Sequence, residues 1–565
     1  MKLRLFILLI SAVILPLKAE VVLTGLSPEM SEAVLARLGI SGQPCDLNPW
    51  VARYQSRNIK AETELVLESF GYYQPTIQTS LSYGESCWRV DLHVDQGKPV
   101  LIKQSNISVV PSPFDFQRVE RKGVSSGQRF DHGAYEAFKS ELESVALEKG
   151  YFDASFLTRD VKVSLESSSA DLEVVLDTGP RYVIGDINYL ESGLKDEIMN
   201  RYLPFKRGDA YDATSLGKLY QALISSDYFS DVSVDADVDG RAKGQVPVNV
   251  YLKPADPDET RLGLGYSTDL GARASVNYTN KRLNSSGHRA EAMFAIAESE
   301  SEIGGLYRVP YGDNDLGWTS FYGGAKKTAT DTSQVTTLKI GVRQLVPLPG
   351  NWVMTRYFEV VSDDFNLAGE DQVALNYVPG VSFDWNPYKT VSRPESGYRL
   401  TFGASGTSRK IGSDSDFVNL LASSKVIFPL WKKGRLILQG QAGLVLSDDF
   451  ERLPPGNRYF TGGDSKVRGF DYQSLGPVND EGEVIGGNRL LEASVELDHL
   501  ISERWALAIF VDGGSASLDK FDSELQTAFG VGVRWYSPIG PLRFDLATPT
   551  DSGGVRLHIN LGPDL

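Results

Sequence analysis

The sequence predicts two architectures in series: three small α+β repeats, then an all-β transmembrane barrel of about sixteen antiparallel strands. Three observations carry this reading. A set of short elements recurs at one period through the N-terminal part, and helical patterning stops at about residue 258. After that point, alternating segments of about ten residues are separated by Gly, Asn, Asp and Pro clusters.

The chain of 565 residues opens with Lys2 and Arg4, an apolar run from Leu5 to Leu17 and a small residue at Ala19. This is the layout of a secretory signal peptide, so residues 1–19 are expected to be removed and the mature chain to begin near Glu20. The run is too short for a spanning helix, which needs roughly 20 residues, and no later apolar run reaches that length. Membrane insertion must therefore use closed β-structure, in which every backbone polar group is paired internally. The 54 Gly, 25 Tyr and 25 Phe favour strands and turns, and a net charge of -16 argues against nucleic acid as a partner. Cys45 and Cys87 enter an oxidising compartment and are expected to form a disulfide, two free buried thiols being the alternative.

The repeats come first in the chain. Leu67-Glu68-Ser69-Phe70-Gly71-Tyr72-Tyr73 is echoed by Leu147-Glu148-Lys149-Gly150-Tyr151-Phe152 and by Leu223-Ile224-Ser225-Ser226-Asp227-Tyr228-Phe229, a step of about 80 residues. A second element keeps the same step, ending in Asp46, Asp131 and Asp212, each placed as a helix N-cap. A third, Asp95-Gln96-Gly97-Lys98-Pro99 and Asp177-Thr178-Gly179-Pro180-Arg181, closes one unit and opens the next. The boundaries read 20–96, 97–178 and 179–258, each in the order strand, helix, helix, strand, strand. The rest of the chain, 259–565, alternates with period two, for example at 261–267, 272–278, 436–446, 490–497, 506–511 and 543–546. A soluble sandwich would leave the aromatic-rich outward faces without a solvent.

Gly462-Gly463-Asp464-Ser465-Lys466-Val467-Arg468-Gly469-Phe470 resembles the loop motif, built around Val-Arg-Gly-Phe, of the superfamily of outer-membrane assembly factors whose barrels follow polypeptide-transport-associated (POTRA) domains. Phe510-Val511-Asp512-Gly513-Gly514 and the run from Gly530 to Asp545 are similar to that superfamily's last strands. Three repeats before about sixteen strands look most like its TamA branch. BamA proteins typically carry five repeats, and two-partner secretion transporters two repeats plus a helix. The missing C-terminal aromatic departs from many outer-membrane barrels.

The resemblance implies residence in the bacterial outer membrane with the repeats in the periplasm, no enzymatic activity and no cofactor. It implies unfolded β-barrel or autotransporter clients, and a TamB-like inner-membrane-anchored partner for the first repeat. It also implies that the loop bearing Gly463, Val467, Arg468, Gly469 and Phe470, counted between strands eleven and twelve, folds into the lumen. Arg468 then needs a carboxylate, expected to be Asp512 or else Glu492. A lateral gate is expected where the first strand (Gly263, Gly265) meets the last (Leu557, Ile559). The two glycines either weaken that seam or accommodate curvature. A secretory or passive channel of the two-partner type is the other functional reading.

Gly123-Val124-Ser125-Ser126-Gly127 fits a nucleophile pattern, but Gly127 belongs to the repeated helix-entry element and no hydrolase sheet surrounds it. The five histidines show no metal-ligand spacing.

Overall fold

The computed structural model describes residues 20–39, 49–83, 88–314, 317–330, 333–385, 393–518, 520–521, 525–537, 540–551 and 553–561. Residues 1–19, the element at 42–46 and both Cys45 and Cys87 lie outside them, as do the signal-peptide and disulfide expectations. Two compact units form, divided within the third repeat.

Each repeat is a three-stranded sheet whose last strand lies in the middle. In the first, Trp88–Asp95 pairs parallel with Glu20–Thr24 and antiparallel with Thr76–Tyr83. Helices Pro28–Leu38 and Pro49–Ser69 complete the unit. In the second, Ser169–Asp177 lies between Leu101–Val110 and Ser155–Ser164. Helix His132–Lys149 lays Tyr135, Phe138, Leu142 and Ala146, spaced three and four residues apart, over Ala170, Leu172, Val174 and Leu176, the alternate positions of the central strand. Asp131 caps this helix by accepting the amide of Ala134 at 3.0 Å. Gly150 ends it with φ 83°, and Tyr151 turns into the core. The third repeat has strands Val183–Leu190, Phe229–Ala236 and Gln245–Pro254, the last burying Val246, Val248, Val250 and Leu252. One expectation fails: the first helix of the second repeat is only a 3-10 turn, Phe114–Arg118. Pro111 and Pro113 precede it, and proline removes donors and disfavours helix in the residue before it.

Ion pairs tie the end of helix His132–Lys149 and the turn after it to the third repeat. The Lys149 ammonium lies 2.9 Å from Asp212, and Asp153 accepts Arg241 at 2.9 Å and the Tyr182 hydroxyl at 2.8 Å. The bond from Arg241, then that from Tyr182, holds the Asp153 carboxyl below its usual range. For Asp212, burial works against its charge, but bonds from Thr214 and Lys149 outweigh it and the carboxyl is also held low. Depressed folded-state values mean that these contacts stabilise fully above the unfolded value of about 3.9 and fade as pH falls through the lower folded values. Amide exchange at 149–153 and 209–214 is therefore expected to accelerate at pH 3 relative to pH 6, beyond the change in intrinsic rate. Equal protection at both pH values would contradict this.

From Asp258 to Leu561 sixteen antiparallel strands close into a barrel, numbered here 1 (Asp258–Ser267) to 16 (Arg556–Leu561). The sequence segments expected as strands all fall inside these elements. Side chains alternate as the period of two requires. On strand 13 (Trp505–Ser517) Leu507, Ile509 and Val511 face out, while Ala506, Ala508, Phe510 and Asp512 are buried inside. Trp318, Trp352 and Trp505 begin strands 5, 7 and 13, while Trp385 and Trp431 end strands 8 and 10. Trp535 lies near the end of strand 14 (Gln526–Ser537). Because neighbours run antiparallel, all six sit on the rim where strand 1 begins. Two pairs stack there, Trp352 on Trp385 at 5.8 Å and Trp505 on Trp535 at 5.6 Å, the placement of an interfacial aromatic girdle.

Candidate functional site: the lumen loop and the strand seam

The connection between strand 11 (Gly434–Leu446) and strand 12 (Arg489–Leu500) turns inward, and its Val467 and Arg468 are buried. Gly463 and Gly469 have φ of 107° and 100°, in the region glycine tolerates. A Cβ at Gly463 would lie 2.6 Å from Asp269, and one at Gly469 3.1 Å from Ala528, so both positions also need the missing side chain. Phe470 is half-buried.

Arg468 meets Asp512 in a two-pronged bond, Nε to Oδ2 at 2.7 Å and Nη2 to Oδ1 at 2.9 Å. Its Nη1 reaches Glu496 at 2.8 Å and Asp545 at 3.2 Å, and its guanidinium lies over the Phe510 ring. Arg534 bridges the same Glu496, at 3.1 Å, and Asp545. Three carboxylates thus surround two guanidinium groups, an arrangement that keeps buried charge paired. Asp512 sits within strand 13 rather than at its end. Glu492, the other expected partner, instead faces Lys466 at 3.3 Å.

Strand 12 explains why the cluster is continuous. Its inward positions are Glu492, Ser494, Glu496 and Asp498, one every second residue, and each meets a cation or hydroxyl. Ser494 donates to Asp512 at 2.7 Å, and Asp498 binds Arg435 at 2.7 Å and Arg393 at 2.6 Å. Reading that strand for its polar face, not only its apolar one, would have located Glu496 in the sequence.

Among the described residues, which end at 561, few pairs join strands 1 and 16. Tyr266 and Ser267 pair with Leu561 and Asn560, whereas strands 1 and 2 (Gly271–Asn280) pair along their whole length. The seam joins the two strands expected to meet there. Gly263 and Gly265 lie beyond the described pairing, Leu557 pairs with Leu546 of strand 15 (Gly540–Pro549), and Ile559 meets Thr268. No hairpin turn joins strands 1 and 16, so alternation alone cannot set their register. Outward-facing Leu262 and Leu264 are 78% and 84% exposed. A cavity of about 380 Å³ lies behind the seam, lined by Gly263, Gly265, Arg273, Tyr472 and Arg543 among others.

Asp269, Asp464 and His558 converge at one end of this seam, the one carboxylate and histidine grouping of metal-ligand size among the described residues. The expectation from histidine spacing missed it because the three are far apart in sequence. Both imidazole nitrogens are engaged: Nε2 accepts the Gly469 amide at 2.8 Å and Nδ1 meets Asp464 at 2.6 Å, which leaves neither for a cation. Ser125, of the nucleophile-like pattern, donates to the Arg121 carbonyl at 3.0 Å.

Residues 257–563 match the Omp85 superfamily domain, residues 20–96 the POTRA domain described as TamA domain 1, and residues 182–255 the POTRA domain described as surface antigen variable number repeat. The outer membrane protein assembly factor BamA of Nitratidesulfovibrio vulgaris is 24% identical over 426 residues, 72% of this chain and 53% of its own length. BamA of Neisseria meningitidis serogroup B is 24% identical over 493 residues, 75% of this chain and 61% of its own. The chain therefore spans between half and two thirds of these relatives' length. The crystal structure of BamA from Haemophilus ducreyi lacking POTRA domains 1–3 shares the fold with a TM-score of 0.69 at 16% identity, over 82% of this chain and 99% of that one. Repeats, barrel and a superfamily-domain match over more than half of the residues converge on one conclusion: the chain belongs to the Omp85 superfamily.

Proposed function

We propose that this protein is an outer-membrane assembly factor of the translocation and assembly module. On this reading it promotes insertion or secretion of autotransporters and other β-barrel clients through a lateral gate between strands 1 and 16. The repeats at 20–96, 97–178 and 179–258 lie in the periplasm and the barrel, 259–565, in the bilayer. The observation that carries the reading is the seam. A client strand entering lipid must bury unpaired N–H and C=O groups, each costing several kcal/mol, and a strand edge supplies partners for them. Strand 1 has such an edge between 258 and 265 among the described residues.

The first repeat is the proposed docking site for a TamB-like inner-membrane-anchored partner. The likeness of residues 20–96 to TamA domain 1 supports this, and the outer strand Thr76–Tyr83 is an edge able to accept another strand. A second reading, a secretory channel, draws on the polar lumen, where a cavity of about 740 Å³ is lined by Glu291, Glu302, Glu359, Asp363, Lys339 and Arg343 among others.

Reconstitution separates the two. The full chain in phosphatidylethanolamine and phosphatidylglycerol vesicles is expected to speed the folding of an added unfolded autotransporter barrel severalfold over empty vesicles, without steady ion conductance. Steady conductance without accelerated folding would favour the channel.

A further inference from the structure

We propose that Asp464 is the bolt of a polar latch that holds the seam shut, tying the lumen loop at once to the turn after strand 1 and to strand 16. The proposal deepens the gating reading and rests on it for its biological role, but the latch itself is a matter of geometry.

Among the described residues, which end at 561, the backbone ladder across the seam holds two paired positions, Tyr266 with Leu561 and Ser267 with Asn560. Beyond Tyr266 and Ser267, Thr268 alone continues it among the described residues: its amide donates to the Ile559 carbonyl at 3.0 Å, and its hydroxyl oxygen accepts the Ile559 amide at 3.3 Å. That same hydroxyl donates its proton to Asp464 at 2.5 Å. Asp464 also accepts His558 at 2.6 Å, and its own amide donates to Asp269 at 2.8 Å. The Asp464 and His558 side chains are only 5% and 4% exposed, so water competes little for these bonds.

The histidine has one workable protonation pattern in this arrangement. Nε2 accepts the Gly469 amide and must be bare, so the proton of the neutral ring sits on Nδ1 and points at Asp464. Gly469 and Asp464 belong to the same loop, which therefore grips the last strand from two sides of one ring. Arg556 adds an exposed pair with Asp471, worth little by itself. Burial first, and then the Asp464 carboxylate beside it, pushes the Asp269 carboxyl above its usual range.

The loop gripping both seam strands is also anchored by Arg468 to strands 12, 13 and 15. Loop displacement and seam release are thereby coupled through one carboxylate. Asp464 is a positioning residue: it acts through Thr268 and His558 on backbone pairing it does not itself make.

Amide exchange of the full chain in phosphatidylethanolamine and phosphatidylglycerol nanodiscs tests this. Asp464→Ala is expected to accelerate exchange in peptides covering 266–268 and 559–561 by about tenfold or more, through the loss of the bonds that Thr268, His558 and the Asp269 amide make to a buried carboxylate. Peptides from strands 7 and 8 are expected to be unchanged, with the heat-modifiable gel mobility of a closed barrel retained. Asp269→Asn keeps an oxygen for the Asp464 amide and removes the neighbouring charge, so the seam is expected to exchange no faster than in the unaltered protein. Unchanged seam exchange in Asp464→Ala, or acceleration of every strand alike, would overturn the latch. So would Asp269→Asn opening the seam as widely. Client insertion measured in parallel keeps the two ideas apart: a fast-exchanging seam with unaltered insertion supports the latch and removes the seam from the insertion mechanism.

Discussion

Replacing Arg468 with alanine is expected to free the lumen loop and to cost about 3–5 kcal/mol, the range for removing one partner of a buried ion pair. The size follows from what stays behind. Asp512 is fully buried and loses a two-pronged partner, while Glu496 and Asp545 keep only Arg534. Arg468→Lys retains a charge but not the planar fork, so an intermediate loss is expected. Asp512→Ala takes the two-pronged partner from Arg468 and leaves it Glu496 and Asp545, and the double variant Arg468→Ala/Asp512→Ala should lose less than the sum of the singles, because the bond between the two is counted in both. Trypsin cleavage at Lys466 and the melting temperature of the barrel report both effects. A variant that resists trypsin and melts like the unaltered protein would show that the cluster anchors nothing.

The division of labour between sequence and fold is visible in particular residues. The tandem repeats were legible because caps and turns are local: Asp131, Gly150 and Tyr151 announce a helix start, its end and the entry to the core. The sixteen strands were legible because alternation is local too. Arg468 stood out through its motif, and Asp512 is one of three carboxylates that meet it. What escaped were relations between elements far apart in the chain. Glu496, Arg534 and Asp545 come from three strands, and only the closed cylinder turns their inward faces on one point. His558 meets Asp464 because strand 16 returns to the loop, and a proton pattern on one imidazole joins them. The seam register was not legible, because the partners are the first and last strands and share no turn.

The same register sets the most direct test of seam opening. Ser267 and Asn560 are directly opposed across strands 1 and 16, and opposed antiparallel residues have Cα atoms about 4.5–5.5 Å apart, inside the range of about 4.4–6.8 Å that a disulfide spans. In a chain carrying Cys45→Ser and Cys87→Ser, Ser267→Cys and Asn560→Cys are expected to form a bond on oxidation without disturbing the barrel. Client folding into vesicles is then measured before oxidation, after it, and after reduction. Near-complete loss on oxidation, restored by reduction, is the expected result, since a locked seam withholds the edge of strand 1. Undiminished client folding with every molecule crosslinked would contradict insertion through the seam.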